Sequence, residues 1–273
     1  MHRLIITIFC YVDDFLKALS WQDDKQCRLV LAEIITIALT AARFFGGNIE
    51  SARVFLFEHG YIRCIDKSRL NRRLHAIPAF FWHFIIAYLS AKRDPNCSHF
   101  LIDSFPISVC HPVRASRRSL FQGKKFLGYN SSKQSWFTGL KVHILATYRG
   151  HPKEFLITPA SVHDLKAFQQ MYLGTIPQRS TIFGDKAYTS QALEEKLLLS
   201  KDILLLAERR ANSKRGQSMI YQLYGKKIRK RIETAFSQLT SWLPRHIHAV
   251  TNQGFVLKLM LLVTAFSLSF FVC

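Results

Sequence analysis

The chain has 273 residues, 49% of them apolar, and carries a net charge of +20 from 38 Lys and Arg against 18 Asp and Glu. That length allows one large domain or two smaller ones with a proper core. The charge excludes a chain indifferent to anions, because so much like charge strains a compact state until a partner neutralises it; nucleic acid is the first candidate and an anionic membrane surface the second.

The opening stretch, "MHRLIITIFCYVDDF", has a short apolar run, no small-residue cleavage site, and meets acid at Asp13 and Asp14. It reads as a first helix rather than a signal peptide. "QCRLVLAEIITIALTAARFFGG" follows as a helix stopped by Gly46 and Gly47. "NIESARVFLFEHG" has Asn48 as N-cap and Gly60 as stop. "DKSRLNRRLHAIPAFFWHFIIAYLSAKRD" reads as one further helix, capped at Asp66 or Ser68, with Lys67, Arg69, Arg72 and Arg73 in its first turns. The last three of these helices, short and with the third basic, fit a helix-turn-helix-like DNA reader, with an ordinary bundle carrying a solvated basic face as the other reading. Residues 1–95 are therefore expected to form an all-helical, DNA-binding region. Cys10, Cys27, Cys64, Cys97, Cys110 and Cys273 include no C-x-x-C pair, which argues against structural zinc, and their scatter suggests a reducing cytosol.

Asp94-Pro95-Asn96 is a break, and the pattern then changes to strands. "HFLIDSFPISV" is the first; "SWFTGLKVHILATYR" and "PKEFLITPA" follow as an antiparallel hairpin turning at Gly150. "SVHDLKAFQQMYL" reads as a helix capped near Ser161, "STIFGDKAY" as a strand ending at Gly184-Asp185, "SQALEEKLLLSK" as a helix and "DILLLA" as a strand. Residues 219 to 271 read as helical, broken near Pro244. Three strands, then helix, strand, helix, strand, helix imply an α/β layer with helices on both faces, over residues 96–273. The last run, "GFVLKLMLLVTAFSLSFFVC", is long enough to span a bilayer, but Lys258, Ser267 and Ser269 interrupt it, and it reads as a closing core helix with no membrane role.

Asp103 stands in the middle of an apolar strand, where an unpaired carboxylate is costly. Asp185 stands at a strand end, where such sheets gather their ligands. Glu233 borders an apolar helical stripe of Ile228, Ile232, Ala235, Phe236 and Leu239, one turn after Arg229. No acid lies between Asp103 and Glu154, nor between Glu208 and Glu233, yet each gap holds nine Lys or Arg. Carboxylates that bind Mg²⁺ beside a phosphate-binding surface produce this pattern, since Mg²⁺ takes one or two carboxylates and completes its shell with substrate phosphate. Arg114, Arg117, Arg118, Lys124 and Lys125 read as a phosphate-contacting loop. Trp136 and Trp242 read as core residues, with base stacking as the other reading. His163-Asp164 opens the helix after the third strand and reads as a cap and helix-dipole pair, with a place at the edge of the site as the other reading. His99, His111 and His143 lack metal-ligand spacing.

"IDSFPI", "FTGLKVHILATYRGHPKEFLITPASVHD", "GDKAY" and "RKRIETAFSQL" together resemble the DDE transposases of bacterial insertion sequences. The resemblance implies a ribonuclease-H-like mixed sheet flanked by helices. It implies Asp103, Asp185 and Glu233 as catalytic and metal-binding triad, with Mg²⁺ or Mn²⁺ as cofactor, two ions in number. Arg229 matches the arginine of a Tyr, Arg, Glu, Lys signature seen in relatives; Tyr224 is five residues before it instead of three, and Thr240 stands where the lysine would be. The implied activity is binding of the element's terminal inverted repeats, strand cleavage and strand transfer into target DNA. The partner is double-stranded DNA, the assembly a homodimer on DNA, and the setting the bacterial cytoplasm. A ribonuclease-H-like nuclease without strand transfer, or an inactive DNA-binding remnant, are the alternatives.

Overall fold

The structure, a computed structural model, describes residues 1–110, 112–130, 134–209, 213, 219–244 and 246–271, so His111 and Cys273 lie outside the described residues. The chain divides into two compact units, one of Met1–Arg93 with Leu239–Cys273, the other of Asp94–Gln238.

The first unit is helical: α1 (His2–Ala18), α2 (Leu31–Phe44), α3 (Ile49–Glu58), α4 (Lys67–His75), α5 (Ala79–Arg93) and the closing α9 (Asn252–Ser269). Helix α2 is its centre, buried at Ile34, Ile35, Ile37, Ala38 and Leu39 and packed against α1, α3 and α9. It starts later than the sequence pattern suggests, because two carboxylates fix its first turn: Glu33 accepts from the Val30 N–H and Asp23 from the Leu31 N–H. Asn48 caps α3 as expected, accepting from Ser51. The single long basic helix expected after Asp66 is instead two, bent by 77° between α4 and α5. Pro78 lacks the N–H that a continuous helix needs and restricts Ile77 before it. Helix α9 is long and apolar enough to cross a membrane, but 67% of it is buried inside the protein.

The second unit carries the sheet: β1 (His99–Cys110), β2 (Leu127–Asn130), β3 (Ser135–Thr147), β4 (Pro152–Pro159), β5 (Ser180–Gly184) and β6 (Ile203–Ala207). The helices α6 (Asp164–Gln170) and α7 (Gln191–Lys201) join the later strands, and α8 (Met219–Ser241) follows β6. Strand order is β2-β3-β1-β5-β6, with β4 also paired to β3. The β1, β3, β4 ladders are antiparallel, whereas β5 and β6 run parallel to β1 and to each other. The class is thus the expected α/β mixed sheet flanked by helices, with a helical N-terminal region. Strand β2 was not read from the sequence; only four residues long and interrupted by Gly128, it lacks a periodic run.

Alternation along the strands divides the two faces. Phe100, Ile102, Ile182 and Leu205 bury toward Phe168 of α6 and Leu193 and Leu197 of α7. On the other face Phe105 meets Phe236 edge-on at 5.1 Å, and Phe183 meets Tyr224 at 5.7 Å, both partners lying on α8. The predicted apolar stripe of α8 is buried at all five positions.

Candidate active site

Strand pairing brings the two aspartates together. Leu101 of β1 lies opposite Phe183 of β5 in parallel register. Two residues further along the chain stand Asp103, still within β1, and Asp185, in extended backbone just past the end of β5, so that both continue the face of those two residues, the α8 side. Asp103 sits inside the sheet, opposite Ile144 of β3. Asp185 follows the last residue of β5 and caps a 3₁₀ turn, Lys186–Tyr188, accepting from the Ala187 N–H at 2.9 Å. Asp103 Oδ1 accepts from its neighbour Ser104 N–H at 2.8 Å.

Both carboxyls hold protons more tightly than usual. Burial pushes Asp103 up to about 6; the Ser104 N–H and Arg229 act against this, and the charges of Asp185 and Asp164 add to it. Burial also raises Asp185, opposed by the Ala187 N–H and Arg229, with Asp164 and Glu208 adding to the rise. Arg229 is the cation that both aspartates feel. Its Nη1 bonds Glu208 at 2.6 Å, and its Nη2 lies 4.0 Å from Glu233 Oε1. Glu233 is 61% exposed along its side chain, and its link to the aspartates runs through Arg229.

Two further acids belong to this neighbourhood: Glu208, which the sequence analysis missed, and Asp164, whose place beside His163 at a helix start allowed a position at the edge of the site. Glu208 directly follows β6, as Asp185 follows β5, and its N–H donates to the Gly184 carbonyl at 3.1 Å. An acid immediately after a short apolar strand was the available signal, in "ILLLA" as in "TIFG". Asp164 opens α6. It accepts from Ser104 Oγ at 3.0 Å and from Lys141 Nζ at 3.2 Å, and lies 3.7 Å from His143 Nδ1. His163 is the cap of α6, accepting from the Leu165 N–H. The cap lies two residues after Ser161, where the sequence suggested it. His143 is fully buried, bonds Thr158 through Nε2, and is pushed down to about 4 by burial. Tyr188 is 1% exposed, and its hydroxyl finds no hydrogen-bond partner among the described residues. Burial drives its pKa well up, and Asp164 is the carboxylate acting on it most.

A divalent cation fits the donor set in part. Asp103 and Asp185 are hard oxygen donors, half-buried near each other with Arg229 acting on both, and Mg²⁺ needs no more than one or two protein carboxylates. Among the described residues no group of three or more His, Cys, Asp or Glu stands close enough to hold an ion.

The basic residues divide into exposed ones and ones engaged with backbone carbonyls, and among the exposed Lys125 lies 5.2 Å over the Phe126 ring. Arg114 and Arg117, in a 3₁₀ turn after β1, are exposed, as are Lys124 and Lys125. Arg118 instead holds its own loop, donating to the carbonyls of Ala115, Phe121 and Gly123. On α4, Arg69 and Arg72 are exposed, whereas Arg73 donates to the Leu29 carbonyl at 2.6 Å and reaches Asp23. Trp136 is not a core residue: it is 60% exposed and meets Tyr129 edge-on, because alternation in β3 turns Phe137 inward and Trp136 out. Trp242 is half-buried under the Arg43 guanidinium, 3.9 Å above its ring.

No curated protein and no solved structure matches the chain. The family model described as "Transposase DDE domain" matches residues 96–268. That span takes in the whole sheet, both aspartates and α8, in a fold of the ribonuclease-H-like kind, and the chain belongs to the transposase DDE domain family.

Proposed function

We propose that the protein binds the terminal inverted repeats of an insertion sequence, cuts the DNA there with a divalent ion, and joins the freed 3′ hydroxyl to target DNA. The observation that carries this reading is the placement of two half-buried aspartates, Asp103 within β1 and Asp185 just past the end of the adjacent parallel strand β5, both with carboxyl pKa values raised, facing a helix that bears Arg229 and Glu233.

Asp103 and Asp185 are the first ligands, and Glu233 is the third carboxylate of the catalytic set. Bound Mg²⁺ or Mn²⁺, two ions in number, supplies charge neutralisation at the scissile phosphate and activation of the attacking oxygen. The protein's own part is positioning. Burial removes water from Asp103 and Asp185 and leaves them in need of a cation. Arg229 is held between Glu208 and Glu233, so a DNA phosphate that draws it away frees Glu233 to turn toward the aspartates. Its planar fork suits a phosphate held by two bonds. Arg114, Arg117, Lys124 and Lys125 contact the DNA backbone, while Arg118 keeps their loop in shape. Arg69 and Arg72 of α4 read the element ends, with Arg73 anchoring the helix; residues 1–95 form the DNA-binding region and 96–273 the catalytic region, the closing helix α9 of the latter being built into the helical unit. The working assembly is a homodimer on DNA, in the cytoplasm where the substrate is.

The test is cleavage of a duplex carrying the flanking ends of the element. Wild-type protein is expected to nick at the ends only with Mg²⁺ or Mn²⁺, and Asp185→Asn to bind the duplex without cutting it. Undiminished metal-dependent cutting by Asp185→Asn overturns the assignment.

A further inference from the structure

The polar groups behind Asp103 form a connected chain that the proposed chemistry does not use. Asp103 and Ser104 are neighbours on β1, so their side chains leave opposite faces of the sheet. The Ser104 N–H donates to Asp103 Oδ1 at 2.8 Å, and the Ser104 hydroxyl donates to Asp164 Oδ1 at 3.0 Å. Asp164 is itself fixed: Lys141 Nζ donates to it at 3.2 Å and to the Val162 carbonyl at 3.0 Å, at the entrance of α6. Lys141 is pinned in turn by its place on β3, opposite Pro106 of β1 and Thr158 of β4. One oxygen of Asp103 is thus committed to Ser104, and the residue that commits it is tied to α6 and β3.

We propose that Asp164, held by Lys141, is a positioning residue that acts through Ser104 to fix the orientation of the Asp103 carboxylate for a divalent ion. This rests on the reading of Asp103 as a metal ligand. A carboxylate free to rotate must be ordered when it binds, whereas one held by its neighbour is ordered beforehand, and groups that orient ligands in this way typically contribute about 10- to 100-fold in metal affinity. The salt bridge between Lys141 and Asp164 has a purely structural reading too, as a tie between α6 and β3. The two readings part at Ser104, whose hydroxyl is needed for the first and unimportant for the second.

The experiment measures Mg²⁺ affinity by calorimetry, and the thermal shift on adding Mg²⁺, in wild type, Ser104→Ala, Ser104→Thr and Asp103→Asn. Ser104→Ala keeps the backbone N–H and the packing of β1 while cutting the link to Asp164. It is expected to bind Mg²⁺ about 10-fold more weakly, and Ser104→Thr, which keeps the hydroxyl on a residue suited to a strand, to recover most of that loss. Asp103→Asn is expected to abolish the shift. Wild-type Mg²⁺ affinity in Ser104→Ala, whether or not its metal-free stability falls, overturns the inference alone. An Asp103→Asn protein that binds Mg²⁺ as wild type does overturns the metal-site reading and the inference with it.

Discussion

Asp103 has a backbone N–H on one oxygen, an aspartate beside it and an arginine shared with that aspartate, which is too little to offset its burial. The consequence is a trade between stability and function. In the metal-free protein its folded pKa of about 6 exceeds the unfolded value of 3.8, so its contribution to stability is full below pH 3.8 and lost as pH rises through 6. The loss amounts to about 3 kcal/mol. Asp103→Asn should therefore make the metal-free protein more stable at pH 7, flatten the fall in Tm between about pH 4 and 6, and abolish cleavage; a less stable Asp103→Asn protein at pH 7 would contradict the account of its burial. Arg229 works differently. Its ion pairs are partly exposed and contribute well under about 1 kcal/mol. One guanidinium reaches Glu208 and Glu233 with separate nitrogens, which the single ammonium of a lysine cannot match. Arg229→Lys should fold normally and bind Mg²⁺, yet cut and join DNA at least about tenfold more slowly. Lys230→Ala, about 100° further round the helix, is the mild control; equal defects in both would reduce the role of Arg229 to bulk charge.

At the scale of elements, the turn from β5 into Tyr188 sets Asp185. Gly184 allows it: an added Cβ would lie 3.1 Å from Ile102 Cγ2 and from Tyr188 Cβ and Cδ2. Gly184→Ala should cost about 1–3 kcal/mol by overpacking and shrink the Mg²⁺-induced rise in Tm, because Tyr188 and Asp185 share the turn. An unchanged Mg²⁺ response would place the carboxylate's support elsewhere. The elements themselves were largely legible. The apolar strand run of "HFLIDSFPISV", the Asn48 cap and the apolar stripe of α8 are local signals, and each forms as read. What was not legible depended on distant partners. The start of α2 is set by Asp23 and Glu33, strand β2 exists because β3 extends beyond β4 to pair with it, and Arg73 is drawn to a carbonyl 44 residues away. At the site, Asp103 and Asp185 stood out because an acid within or just after an apolar strand is anomalous. Glu208 looked like an ordinary loop acid, Asp164 was legible as a helix-opening acid with a place at the edge of the site as its second reading, and Glu233 was legible as a residue, while its engagement with Arg229 instead of the aspartates is a matter of side-chain placement.

For the molecule as a whole, the +20 charge is the property that DNA should answer most directly. Binding that neutralises Z phosphates weakens with salt at a log–log slope of about −0.9Z. Replacing Arg114, Arg117, Lys124 and Lys125 by glutamine should make that slope shallower for every duplex alike, whereas Arg69→Ala with Arg72→Ala should chiefly reduce the preference for element ends over random DNA. Both follow from gel-shift titrations at several salt concentrations, and an equal loss on both duplexes from the second pair would assign α4 to backbone contact. The central claim, a DDE transposase that joins DNA ends, is tested most directly by strand transfer from a pre-cut 3′-hydroxyl element end into plasmid, with Mg²⁺ or Mn²⁺. The account predicts joined products from the wild-type protein and none from Asp103→Asn or Asp185→Asn, at undiminished DNA binding. Joining by either variant, or wild-type protein that cuts element ends and never joins them, would contradict it.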